Sequence, residues 1–185
     1  MKGTRWALSR FFVLLATLRR DKRPAVRMGD ALHVVERVLL VLPLDETERQ
    51  KVLPQIFAFK SDFPQWNLDL LFLGGEAPVT EDAFKGIGIV RASVEDITPL
   101  GLPGRDLLSR LRDHNYDMAI DLSMDIHPFV PYLLDRSQVP LKMGVNEAGR
   151  MRRRLYNLAI RLNDSGDVMN RLADTLAPIC RTGTA

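Results

Sequence analysis

The stretch Asp121-Leu-Ser-Met-Asp-Ile-His127 brings two carboxylates, a hydroxyl and an imidazole into one short segment. A carboxylate beside an imidazole can move a proton near neutral pH, and the same residue types can hold a divalent cation. They also do structural work: Asp121 can accept from a backbone N–H in a turn, and Asp125 or Ser123 can N-cap a helix opened by Pro128. The turn-and-cap reading is favoured because it needs only these residue types in this place. His127 alone reads as a solvated or hydrogen-bonded histidine. A second candidate is the run Arg150-Met-Arg-Arg-Arg154. Arg150, Arg152, Arg153 and Arg154 could bind a phosphate or an acidic headgroup, although short arginine runs usually form a solvated face.

These groups need elements to position them. Val38–Leu42 is a short apolar run that reads as a buried strand. Asp45 to Asp62 follows as a helix, with Asp45 or Thr47 as its cap, Val52, Ile56 and Phe59 at helical spacing, and Phe63-Pro64 as its stop. Further strands are expected at Leu68–Leu73, Ile87–Arg91, Tyr116–Leu122 and Leu141–Val145. Helices are expected at Arg105–His114, Pro128–Asp135 and Val168–Ile179, while Leu155–Arg161 fits either strand or helix. This alternation predicts an α/β fold of Rossmann-like type, a mostly parallel sheet covered by helices on both faces. In such a sheet ligands sit beyond the carboxyl ends of the strands, so the loops after Leu42 and Leu122 are the places for function. Asp45, Ser123, Asp125 and His127 are then the candidate cleft residues.

Composition narrows the possibilities further. The chain has 185 residues, 46% of them hydrophobic, with 26 Lys and Arg against 23 Asp and Glu. That composition suits one globular domain and excludes wholesale disorder. Cys180 is the single cysteine, so no intrachain disulfide can form, and a reducing, cytoplasmic setting is expected. Residues 1–30 hold eight basic and two acidic residues, a local charge of +6 on a remainder of −3. We therefore expect a basic amphipathic helical arm over 1–35, packed on the domain or touching the inner face of a membrane, and a domain over 36–180. The Pro43-to-Arg49 loop lacks the glycines of a dinucleotide fingerprint. No P-loop, HExxH, nucleophile elbow or paired-cysteine motif occurs, so neither cofactor nor metal is expected. Gly86-Ile-Gly88 precedes a strand and reads as a tight turn. Basic residues are not interleaved with aromatics as a nucleic-acid platform would require, so nucleic acid is not an expected partner.

Two stretches together resemble a known family. Val38-Leu-Leu-Val-Leu-Pro-Leu-Asp-Glu-Thr-Glu-Arg-Gln-Lys-Val-Leu-Pro54 through Phe63-Pro64, and Leu107 through Gly144 with Tyr116-Asp-Met-Ala-Ile-Asp121, look like the N-terminal half of glycosyltransferase family 9. Those are the heptosyltransferases of lipopolysaccharide core assembly. The resemblance covers about residues 36–180, close to that family's acceptor-binding half. It implies a GT-B half-fold and places Thr47-Glu48 where the family has Gly-Asp, so Glu48 stands at the position of the presumed base. The extra methylene of Glu shifts the carboxylate by about 1 Å, which is enough to matter in catalysis. The family's nucleotide-sugar half has no counterpart in this sequence.

The expectation is accordingly a binding or scaffold protein of envelope or glycoconjugate metabolism without independent catalysis. The alternative is one half of a split transferase, with Glu48 as base, Asp121 in support and the arginine run as anion site. The implied partner is a second, nucleotide-sugar-binding chain or an acidic glycolipid. The sequence is similar also to short stand-alone Rossmann-like proteins with a Tyr-Asp-x-x-Ile-Asp-Leu-Ser strand, a likeness that implies a fold and no chemistry.

Overall fold

A computed structural model of the protein describes residues 28–74, 84–124, 127–145, 155–160 and 167–182. Among these residues six strands form one sheet, all parallel: β1 (Arg37–Val41), β2 (Asn67–Leu73), β3 (Gly88–Ala92), β4 (Met118–Asp121), β5 (Leu141–Val145) and β6 (Leu158–Ile160). Their spatial order is β3-β2-β1-β4-β5-β6, the doubly wound arrangement. The chain runs outward from β1 to β3, then returns to β4 on the other side of β1. The boundary between β1 and β4 is therefore where the strand order reverses, with Val41 level with Asp121. The segment Leu155–Arg161, open between strand and helix in the sequence, supplies the edge strand β6.

Alternating side chains divide the core in two. Val38, Leu40 and Leu42 face one side with Leu68, Leu70, Met118, Ile120 and Met143. Helices α1 (Met28–His33), α2 (Glu46–Val52), α3 (Ile56–Asp62) and α6 (Val168–Thr182) contribute Leu32, Val52, Ile56, Phe59 and Leu172 to that side. Leu39, Val41, Leu71 and Ala119 face the other, under α4 (Arg105–Asp113) and α5 (Phe129–Arg136).

The helix expected over Asp45–Asp62 is three pieces. A 3-10 turn, Leu53–Gln55, separates α2 from α3. Pro54 explains the break, because its ring removes a backbone donor and crowds the preceding turn. After α3 the chain turns on an aromatic cluster: Phe63 stacks on Trp66 with centroids 4.3 Å apart, and Phe59 lies 4.9 Å from Phe63. Lys60 ties the turn shut by donating to the carbonyls of Pro64 and Trp66. The Gly86 turn before β3 is present, with Gly86 at a φ of 83°.

The Tyr116-Asp117 pair, part of the motif behind the family resemblance, works at the amino end of the sheet. Asp117 Oδ2 accepts from the N–H groups of Glu36 and Arg37, each at 2.9 Å, and so clamps the start of β1 to the start of β4. The Tyr116 hydroxyl donates to Asp69 Oδ2 at 2.6 Å. Burial, reinforced by the Asp69 carboxylate, pushes the Tyr116 hydroxyl far above its ordinary pKa, so it stays a donor. Opposite Asp69, a Cβ on Gly88 would collide with the carboxylate, which explains the glycine there.

Candidate functional site

Beyond β1 the chain reads Pro43-Leu44-Asp45 before α2 begins. Asp45 is the N-cap: its backbone is extended, and Oδ1 accepts from the Glu48 N–H at 2.9 Å. A carboxylate so placed satisfies an otherwise orphaned donor of the first turn. Of the two residues offered as caps, Asp45 and Thr47, the structure selects Asp45. Glu48 stands in the first turn of α2, half-buried, at the carboxyl end of the central strand. No glycine is present in this turn to let a pyrophosphate approach.

At the carboxyl end of β4, Asp121 is fully buried. Its Oδ1 accepts from the Ser123 N–H at 2.9 Å, and its Oδ2 accepts from the Tyr156 hydroxyl. The turn role expected for Asp121 is thus in place, joined by a second anchor that sequence reading missed. Tyr156 reaches Asp121 by lying across β5 at Gly144, the residue level with Asp121. A Cβ on Gly144 would sit 2.7 to 2.9 Å from three carbons of the Tyr156 ring. The glycine of the Lys-Met-Gly segment is therefore the seat of this tyrosine.

Ser123 is buried in the same turn and does not cap the following helix. Pro128 is the N-cap of α5 and offers no side-chain acceptor; instead His127 Nδ1 accepts from the Phe129 N–H at 3.3 Å. The imidazole replaces the expected Ser123 cap because it is the side chain that meets this donor. Asp125, the other cap candidate, lies outside the described residues, as do Arg150, Arg152, Arg153 and Arg154 and the basic residues of the N-terminal arm.

Burial pushes the His127 pKa down, so the ring stays neutral at pH 7 and keeps Nδ1 as an acceptor. An unfolded histidine takes its proton near pH 6.5. The folded chain takes it at a lower pH, and between the two values the unfolded state holds more protons. Stability is therefore expected to be full above about pH 6.5 and to fall as the pH drops through the depressed folded value. Urea denaturation at a series of pH values should show this loss in the wild type and not in His127→Asn; equal slopes in the two would contradict it.

Arg49 is the residue least expected at this end of the sheet. It lies one turn before Val52 and Leu53 and two turns before Ile56, and is buried with them. Its Nη1 donates to the carbonyls of Pro43 and Leu44 at 3.2 and 3.4 Å, and its Nη2 pairs with Glu46 Oε2. Burial lowers its pKa, an effect that Asp45 opposes. The available signal was a charged residue at the i, i+3, i+4, i+7 spacing of an apolar stripe. Among the described residues no group of three or more His, Cys, Asp or Glu side chains is arranged to hold a metal.

The site thus has two walls. Asp45, Glu48 and Arg49 follow β1, and Asp121 ends β4 with Ser123 and His127 after it, at the carboxyl ends of the two strands between which the order reverses. Comparisons of the chain with family models, with curated proteins and with solved structures gave no match.

Proposed function

We propose that this chain is a binding module of Rossmann-like type, akin in architecture to the acceptor half of a GT-B glycosyltransferase. Its ligand, an acidic glycolipid or its headgroup, would occupy the crevice between the β1 and β4 loops. The observation that carries this reading is the fate of Asp121. The carboxylate at the reversal of strand order is fully buried and engaged by the Ser123 N–H and by Tyr156. A base must reach its substrate's proton; this carboxylate is buried, with both oxygens already accepting hydrogen bonds within the fold. The strand order 3-2-1-4-5-6 supports the location, since ligands of such sheets gather at the reversal point. The test is twofold. A short oligogalacturonate, standing in for an acidic headgroup, should shift the amides of Val41–Leu44 and Ser123, and the pure chain should turn over no nucleotide sugar. Silent amides or measurable turnover would sink the reading.

A second reading, one half of a split transferase, is favoured by one observation: Glu48 is half-buried in the first turn after the central strand, unlike the buried Asp121. It predicts that Glu48→Gln lowers transfer by at least about a hundredfold once a nucleotide-sugar-binding chain is supplied. Unchanged transfer would remove Glu48 from consideration. Among the described residues no helix is long and apolar enough to cross a membrane. The +6 charge of residues 1–30 supports peripheral contact with an anionic surface.

A further inference from the structure

Arg49 carries its charge into a place where its side chain is only 5% exposed. A buried guanidinium is tolerated when its donors are satisfied, so each N–H should have a partner. Nη1 has the carbonyls of Pro43 and Leu44, and Nη2 has Glu46. Nε has no hydrogen-bond partner among the described residues.

The cause lies in Glu46. Its Oε1 accepts from Gln50 Nε2 at 2.7 Å, so only Oε2 is turned to Arg49. Nε and Nη2 share one edge of the planar guanidinium, and that edge suits a carboxylate bound through two parallel hydrogen bonds. Here it is half used, by a side chain 56% exposed that can turn out into solvent.

We propose that the Nε/Nη2 edge of Arg49 is a receptor for a ligand carboxylate, which displaces Glu46 as it binds. The proposal rests on the binding reading above and specifies the chemistry of that ligand. The exchange replaces a one-point contact by a two-point contact and satisfies the orphaned Nε. Asp45 lies close enough to stabilise the Arg49 charge. The same carboxylate opposes a second negative charge beside it, which selects a singly charged carboxylate over a phosphate dianion.

Nitrogen-resolved NMR of the full chain tests this by following the Arg49 Nε–H during titration with acetate, inorganic phosphate and chloride at matched ionic strength. Acetate is expected to shift that signal saturably, phosphate less tightly, and chloride only weakly. Glu46→Gln, at an exposed position, is expected to tighten acetate by up to about fivefold, the worth of one exposed ion pair. Arg49→Lys keeps the charge without the fork and should lose the site, with its amide spectrum reporting whether it folds. Equal responses to acetate and chloride, tighter binding of phosphate, or an unchanged affinity in Glu46→Gln would overturn the proposal. Should Arg49 ignore acetate while the Val41–Leu44 and Ser123 amides respond to the oligogalacturonate, the carboxylate receptor falls and the binding reading stands. Should neither respond, both fall.

Discussion

Gly144→Ala is expected to destabilise the protein by about 1–3 kcal/mol through overpacking alone. The new methyl group would meet the Tyr156 ring at 2.7 to 2.9 Å, so the ring must leave its seat on β5. Its hydroxyl would then leave Asp121, at a further cost of about 1–3 kcal/mol for leaving a buried oxygen without this partner. Denaturant unfolding of the variant measures the sum, and Tyr156→Phe measures the second part without the collision. Because both changes act through one contact, the double variant should lose less than the two single losses added together. A neutral Gly144→Ala would mean that Tyr156 does not rest on β5, and the account of the β4 wall would fail with it.

Trp66→Ala should cost a comparable amount, about 3–5 kcal/mol. Trp66 is fully buried and stacked on Phe63, and it fills the corner between α3 and β2. Against a typical domain stability of about 5–15 kcal/mol, this one change approaches the margin for folding. Trp66→Phe should be far milder. The indole Nε1 is buried without a hydrogen-bond partner among the described residues, so removing it relieves a desolvation cost while the ring contact persists. Circular dichroism is the suitable probe, since the chain has only 2 tryptophans and these variants remove one. A Phe variant as damaged as the Ala variant would mean that the indole N–H is satisfied after all.

The parallel sheet was legible because its strands announce themselves in one dimension. Val38–Leu42 is an unbroken apolar run and Leu68–Leu73 is broken only by Asp69 near its start, as expected of strands covered on both faces. The reversal point followed from that alternation, and with it the two loops that form the site. What escaped were features fixed by contacts distant in sequence. Tyr156 meets Asp121 across 35 positions, and nothing near either residue marks the pairing. The segment around Tyr156 fitted strand or helix equally well until β5 offered it an edge. Pro54 is visible in the sequence, but its effect is hidden there because the apolar spacing of Val52, Ile56 and Phe59 continues across the break. The capping histidine was missed for a chemical reason: neutral imidazole accepts a backbone N–H as a serine would, but only when burial keeps it neutral.

The Asp117 clamp also carries a consequence for how the chain reaches this structure. It binds the N–H groups of Glu36 and Arg37 across 81 and 80 positions. β1 can pair early with β2, its near neighbour along the chain, since only the α2–α3 crossover intervenes. Its other edge must wait for β4, after the whole β2–β3 half has been traversed. Closing so long a loop is entropically costly before any contact rewards it, and non-local pairings of this kind slow folding. Until β4 arrives, the buried run Val38–Val41 of β1 has one open edge. That interval is when the chain is most exposed to pairing with the wrong neighbour.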